Sequence, residues 1–379
     1  MKKHIKAPFL GNYKQQYKHK SYSPPKIDHP YRWSDEKIDV LLEESVRLLG
    51  ELNVYSKLVP DVGFYIRMHI VKEAASSSRI EGTKTGIEEA LLSKEEVSPE
   101  QRDDWEEVQN YIKSMNYAIE KLDKLPISLR LTKKIHQILL SGVRGEHKQP
   151  GEVRTSQNWI GGTNPTDAFF VPPHHEEVSE LLSDLEKYWH NENLDIPILI
   201  KVAVSHYQFE TIHPFLDGNG RVGRLLIVLY LISKRYLQKP TLYISDFFEK
   251  NRNAYYDSLN QVRVTGEIDQ WIKFFLNAVI KTSEKGIETF DKIIQLKEKY
   301  GQKVISLGAK AENASGLINA MYSKPKMNVN EIAESLHVSY VTANDLVKNL
   351  EKLDLLKEAT GYSRNRIYVL HEYLGLFKK

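Results

Sequence analysis

The sequence predicts a mainly α-helical protein, on three observations. Apolar residues recur at three- and four-residue spacing through most of the chain, as in Ile38, Leu41, Leu42, Val46, Leu48 and Leu49; that spacing gives a helix one face to bury. The helical rhythm breaks for long only at residues 143–173, where Gly161-Gly162 lies between two short extended pieces, a hairpin signal. Beyond about residue 305 the chain reads helix, tight turn, helix and two extended pieces, the order of a winged helix-turn-helix.

Taken in order, residues 1–34 are an arm. Lysines, scattered tyrosines and Ser23-Pro24-Pro25 leave two readings open, a segment draped on the body or a loose terminus. Residues 35–125 form a helical region. Asp35 and Glu36 suit a first helical turn, and a second helix is expected from about Asp61 to about Glu81, with Gly82 as its C′ residue. Further helices are expected near 86–93, 99–123 and 128–141. After the hairpin of 151–173, helices resume at about 175–191, 195–211, 221–236, 247–263 and 268–299. In the tail, Asn328 caps a short helix, His337-Val338-Ser339 turns, and Tyr340–Leu353 is the second helix.

Composition narrows the classes. A chain of 379 residues predicts two or three domains. Hydrophobic content of 41% and charged content of 27% are those of an ordinary globular protein. The absence of cysteine excludes disulfides, thiol catalysis and cysteine-ligated metals, and fits a cytoplasmic protein. The basic start, Met1-Lys2-Lys3-His4-Ile5-Lys6, has no apolar stretch behind it and is not read as a signal peptide. The longest apolar run, Leu225–Ile232, is far short of a membrane span. A net charge of +3 is too mild to imply nucleic acid by itself.

The chemistry concentrates in His213-Pro214-Phe215-Leu216-Asp217-Gly218-Asn219-Gly220-Arg221-Val222-Gly223-Arg224. His213 is a candidate general base, since imidazole titrates near neutrality. Asp217 is a hard oxygen ligand suited to Mg²⁺. Gly218, Asn219 and Gly220 allow a sharp turn into a helix, whose first N–H groups and positive dipole end form an anion site. Arg221 and Arg224, three apart, add forked donors for phosphate oxygens.

Three features together carry a resemblance: this loop, the hairpin upstream of it, and Ser77-Ser78-Arg79-Ile80-Glu81-Gly82. The chain resembles Fic-domain proteins of the bacterial type with an N-terminal inhibitory helix. The loop matches the family signature H-x-F-x-[DE]-G-N-G-R-x-x-R at every fixed position, and Ser77, Glu81 and Gly82 match the inhibitory pattern [ST]-x-x-x-E-[GN]. The resemblance spans roughly residues 35–290. It implies a Fic-type helical bundle over 126–290, with a winged helix at 305–379. It implies transfer of AMP from ATP to a Tyr, Ser or Thr hydroxyl of a target protein or of the chain itself, releasing pyrophosphate. Gly220 stands where a kinase branch of the family has lysine.

By the same resemblance, His213 is the base and Asp217 holds Mg²⁺. Gly218, Asn219, Gly220, Arg221 and Arg224 take the phosphates. The hairpin is a flap, with Ile160, Gly161, Gly162 and Thr163 approaching the nucleotide and a target protein docked along 151–173. Tyr255 and Tyr256 match an aromatic pair near adenine and ribose, although one of two adjacent helical tyrosines is expected in the core. Arg263 lies near a nucleotide-contacting position. Glu81, at the edge of the nucleotide site, pairs with Arg224 and blocks the γ-phosphate seat, with Ser77 placing the helix. Family resemblance also admits a homodimer and the reverse reaction, removal of AMP from a target. The tail leaves a DNA-binding regulator open, yet Lys348, Lys352, Lys357, Arg364 and Arg366 are offset by Asp345 and Glu351, short of a dense basic face.

Overall fold

The structure is a computed structural model that describes residues 8–58, 62–361 and 366–377. Residues 1–7, Asp61 and Arg364 lie outside the described residues, and with them the basic start, the expected first residue of the second helix and one wing cation.

The arm is packed on the body. β1 (Asn12–Gln15) and β2 (Lys20–Ser23) form an antiparallel hairpin with Tyr13 opposite Tyr22. Phe9, Tyr22, Ile27 and Tyr31 are buried, and these apolar anchors, set between the lysines, hold the segment down. The Tyr22 N–H donates to the Val171 carbonyl at 2.9 Å, so β2 lies along the flap.

The helices that follow are α1 (Lys37–Leu58), α2 (Val62–Ile80), α3 (Ile87–Ala90), α4 (Arg102–Leu122) and α5 (Leu129–Leu139), then α6 (His175–His190), α7 (Ile198–Ile212) and α8 (Asn219–Ser233). Next come α9 (Ile244–Lys250), α10 (Arg252–Thr265) and α11 (Asp269–Ile305). The single helix expected at 247–263 is broken at Asn251, whose backbone leaves the helical region (φ −115°, ψ 37°) while its amide donates to the Phe247 carbonyl. At the centre, α7 and α8 pack together. Every α7 residue from Leu199 to Ile212 is buried, as expected for a helix apolar on most faces. The long α11 lies along α1.

The expected hairpin at 151–173 is reduced to one bridging pair, Ile160 with Phe170, bonded both ways at 2.8 and 3.1 Å. Local chemistry explains this. Gly161 and Gly162 take left-handed φ values of 70° and 69°. The Asp167 carboxylate then accepts from Thr163 N and Asn164 N, which closes a side-chain-bonded loop where strand pairing would continue. Pro172 and Pro173 have no N–H to extend the ladder.

The C-terminal unit holds α12 (Ala311–Ser323), β3 (Lys326–Asn328), α13 (Val329–Leu336), α14 (Tyr340–Lys352), β4 (Lys357–Glu358), β5 (Ile367–Val369) and α15 (His371–Gly375). Its three strands lie antiparallel in the order β3-β5-β4. Asn328 caps α13 in a capping box with Glu331, and His337 ends it in the left-handed region. Neither α12 nor β3 is among the elements expected from the sequence. The tail is not a separate appendage: α12 packs on α2 and α11, and one apolar core runs through both parts of the chain. Among the described residues, no helix is long and apolar enough to cross a membrane.

Candidate active site

His213 is the C-cap of α7 in the left-handed region, at φ 50° and ψ 62°, a conformation that costs a non-glycine residue roughly 1 kcal/mol or more. The surroundings enforce it. Arg154 Nε and Asn158 Nδ2 both donate to the His213 carbonyl, at 2.9 and 3.1 Å. Buried Arg154 also donates to the carbonyls of Pro173, Ser156 and Ile212. The His213 Nδ1 faces the Glu210 carbonyl at 3.4 Å. A carbonyl only accepts, so Nδ1 carries the hydrogen and Nε2 keeps its lone pair. Burial, assisted by Arg154 and Arg263, pushes the His213 pKa down to about 4, against the opposing pull of Glu81. The ring is therefore neutral at pH 7.

A four-residue bracket holds the loop. The Asn219 side chain accepts from Phe215 N and donates to Phe215 O, both at 2.8 Å. Asn158 adds a second donor to Phe215 O at 2.9 Å. The ring of His136 stacks on Phe215 with centroids 3.8 Å apart. Its Nδ1 accepts from Gly151 N and its Nε2 donates to Asp217 O, at 2.8 and 2.9 Å. Gly218, at φ 75°, then caps α8, and the first N–H groups of that helix have no carbonyl a turn behind them.

The Asp217 side chain is 42% exposed, and its Oδ1 lies 3.5 Å from Arg221 Nη2. A single accessible carboxylate beside helix-terminal amides fits Mg²⁺, which takes one protein oxygen and completes its shell with water and phosphate. Arg221 is buried, with Nη1 donating to Glu107 Oε2 at 3.0 Å. Arg224 is also buried. Its Nε donates to Ser77 Oγ at 2.9 Å, and its Nη2 to Ser77 O at 2.9 Å and to Glu81 Oε1 at 2.6 Å. Burial works against the Glu81 charge, but Arg224 outweighs it and holds the carboxyl below its ordinary pKa. Gly82, at φ 102°, ends this helix, and a Cβ at Gly220 would lie 2.3 Å from Glu81 Oε1. The bare backbone of Gly220 thus admits the carboxylate.

Ser77, Glu81, Arg224 and the 213–221 loop therefore meet. Ile160 to Thr163 form the turn of the flap, with Phe169 62% exposed beside it. Two of the expected nucleotide contacts lie in the packed interior. Tyr255 is core: it is buried, its hydroxyl lies 2.8 Å from His206 Nε2 and its ring stacks on Phe248. Only Tyr256 retains a partly exposed face, under the Arg252 guanidinium. Arg263 is buried over the Phe170 ring at 3.8 Å, with Nε donating to Thr211 Oγ1, and so braces the flap. The residues missed by sequence reasoning are His136, Arg154, Asn158 and Glu107. The available signals were a histidine within the apolar stripe Leu131, Ile135, Leu139 and an arginine flanking the flap.

Comparison with known proteins points to one family. A family model described as Fic/DOC family matches residues 126–231, and one described as Fic/DOC family N-terminal matches residues 40–120. The chain is 32% identical over 157 residues to Protein adenylyltransferase Fic of Aedes aegypti, covering 41% of this chain and 28% of that one. It is 25% identical over 197 residues to Protein adenylyltransferase fic-1 of Caenorhabditis elegans, covering 52% and 32%. The chain thus spans about a third of the length of these relatives. A crystal structure of a Fic family protein from Desulfovibrio desulfuricans superposes with a TM-score of 0.58 at 19% identity, over 90% of this chain and 98% of that one. A Fic domain containing signaling protein from Bacteroides thetaiotaomicron gives 0.52 at 18%, over 68% and 97%. These two likenesses concern the fold.

Proposed function

The chain belongs to the Fic/DOC family, and from that premise we propose that it transfers AMP from ATP to a hydroxyl of a target protein or of itself. The carrying observation is the pinned tautomer of His213, Nδ1 toward Glu210 O, beside a helix N-terminus flanked by two buried arginines. The target hydroxyl oxygen bonds to the α-phosphorus while its proton passes to His213 Nε2. The bond from the α-phosphorus to the bridging oxygen breaks, and pyrophosphate leaves. Amides of Asn219, Gly220 and Arg221 face the phosphates, with Arg221 and Arg224 balancing their charge. Asp217 would hold Mg²⁺, which when bound neutralises phosphate charge. Tyr256 is the remaining candidate for a base contact. The target lies along the flap turn at Ile160 to Thr163, near exposed Phe169 and Trp159.

In this reading Glu81 is an inhibitor. Its bond to Arg224 places an anion where the γ-phosphate would sit, so ATP cannot bring its α-phosphorus into line. Replacing Glu81 by Gly is expected to raise incorporation of AMP from labelled ATP by more than about tenfold, since misplacement near 1 Å costs on the order of 100-fold. His213→Ala in that background is expected to abolish transfer and spare ATP binding. Incorporation by the Glu81 variant no higher than wild type would remove the inhibitory reading. Retained transfer without His213 would remove the base.

The order β3-β5-β4 beside α13 and α14 supports a winged helix at 311–377. Its exposed α14 face carries Tyr340 and Val341 together with Asp345 and Lys348, which favours a protein partner over DNA.

A further inference from the structure

The helix that carries Ser77 does not lie on the surface. Every α2 residue from Met68 to Ser78 is buried, so α2 has covering elements on all sides, among them α4, α9 and α12. Glu81 therefore cannot leave Arg224 by a free outward swing of the whole helix.

His69, Glu73 and Ser77, spaced four residues apart, form one stripe along this rod, and Glu81 continues it in the turn just past the helix end. Twelve residues of helix extend about 18 Å. Each side chain meets a different element. Glu81 and Ser77 hold Arg224. Glu73 accepts from Ser245 N at 3.0 Å and from Ser245 Oγ at 2.5 Å, at the start of α9, and from the Tyr111 hydroxyl of α4 at 3.2 Å. The His69 ring stacks on Tyr243 at 5.2 Å and lies 4.9 Å from Phe290 of α11. It also meets Phe377 edge-on at 5.6 Å. Phe377 follows α15, and its ring packs on Tyr373, which packs on Tyr322 of α12.

His69 is fully buried, and among the described residues neither ring nitrogen has a hydrogen-bond partner. It serves here as a flat aromatic spacer between the body and the C-terminal unit. A second tie lies nearby: Lys326 Nζ of β3 donates to Glu88 O, just past the Glu81 turn, at 3.2 Å. The C-terminal unit thus touches the inhibitory segment at both ends.

We infer that the C-terminal unit regulates the transfer site through α2: His69 and Phe377 are positioning residues that hold Glu81 on Arg224, and drawing the Phe377 segment away from His69 releases that carboxylate. The inference rests on the reading of Glu81 as an inhibitor. It makes the far end of the chain the input and α2 the rod that carries the displacement, with two packed arrangements as the switch.

The test is a pair of variants, Phe377→Ala and Glu81→Gly, alone and combined in the full chain, read by pyrophosphate release and by AMP incorporation. Phe377→Ala alone is expected to raise both by roughly fivefold or more, the scale of an ordinary allosteric coupling, and to add nothing on top of Glu81→Gly. A merely structural loss would lower activity in both backgrounds. If Glu81→Gly activates and Phe377→Ala does not, or if Phe377→Ala changes the Glu81 variant equally, the coupling is refuted. If Glu81→Gly itself fails to activate, the inhibitory reading falls and this inference falls with it. Should the alanine variant not fold, Phe377→Leu keeps the bulk and loses the ring edge. It is expected to speed amide hydrogen exchange across residues 69–81 along with the rise in incorporation, and unchanged exchange with unchanged incorporation would overturn the coupling.

Discussion

Replacing Glu107 by Gln tests whether Arg221 is set by a residue outside the motif. Glu107 is buried on α4, with Oε2 accepting from Arg221 at 3.0 Å and Oε1 from Arg144 at 2.9 Å. Arg144 is largely exposed and keeps a second carboxylate, Asp104, at 2.8 Å, so it has a substitute. Arg221 is buried and its Nε has no partner among the described residues. Gln keeps the shape and an acceptor but removes the charge. Breaking one partner of a buried pair typically costs about 3–5 kcal/mol, and retention of the acceptor places this change near the lower figure. For a chain of this size that amounts to a fall in Tm of roughly 5 °C or more. The carboxylate next in reach of Arg221 is Asp217, at 3.5 Å. If Asp217 holds Mg²⁺ as proposed, an arginine freed from Glu107 turns to Asp217 and competes with the ion, so half-maximal pyrophosphate release in the Glu81→Gly background should need about tenfold more Mg²⁺, about 1.4 kcal/mol. Arg144→Ala is the control, expected to change neither reading. A lowered Tm with an unchanged Mg²⁺ curve would show Arg221 to be structural, and no change in either would refute the argument.

Glu210 is buried beside Gly223 with Oε1 unpartnered among the described residues, and burial pushes its pKa up to about 7, against the pull of Arg224. Its folded pKa lies above the unfolded value, so its contribution to stability is complete below about pH 4.5 and is lost as pH rises through about 7. Glu210→Gln lacks this loss, and its unfolding free energy relative to wild type should rise between pH 5 and 8 by up to about 3 kcal/mol; parallel profiles would contradict the assignment. Burial keeps His213 neutral, with its pKa pushed down to about 4, so kcat/KM in the Glu81→Gly background should show no base ionisation between pH 5.5 and 7.5. An inflection near 6.5 would mean that the ring is solvated.

Several local devices were legible because their chemistry is local. Asn328 ahead of an apolar-periodic run reads as a helix cap, and the structure adds Glu331 to it as a capping box. Gly218 before Asn219 specifies a left-handed entry into α8. Ser77 and Glu81 at i, i+4 were bound to reach one neighbour. The flap was legible as an interruption and misread as two strands, because the Asp167 bonds to Thr163 and Asn164 compete with strand pairing in a way that alternation does not reveal. Of Tyr255 and Tyr256, sequence predicted that one is core without saying which; the packing of Phe248 and His206 decides for Tyr255.

The sequence by itself determined the helical class and the clustering of a histidine, a carboxylate, glycines and two arginines between His213 and Arg224. These follow from periodicity and from groups near one another along the chain. Only the tertiary structure decided which elements hold those groups. His136 reaches Asp217 across 81 residues and Glu107 reaches Arg221 across 114. The same holds for the tail, which meets α2 through Phe377 and His69, 308 positions apart in the numbering. Burial, not spacing, joins such pairs: a charge or ring removed from water takes whichever partner the packed core brings within reach.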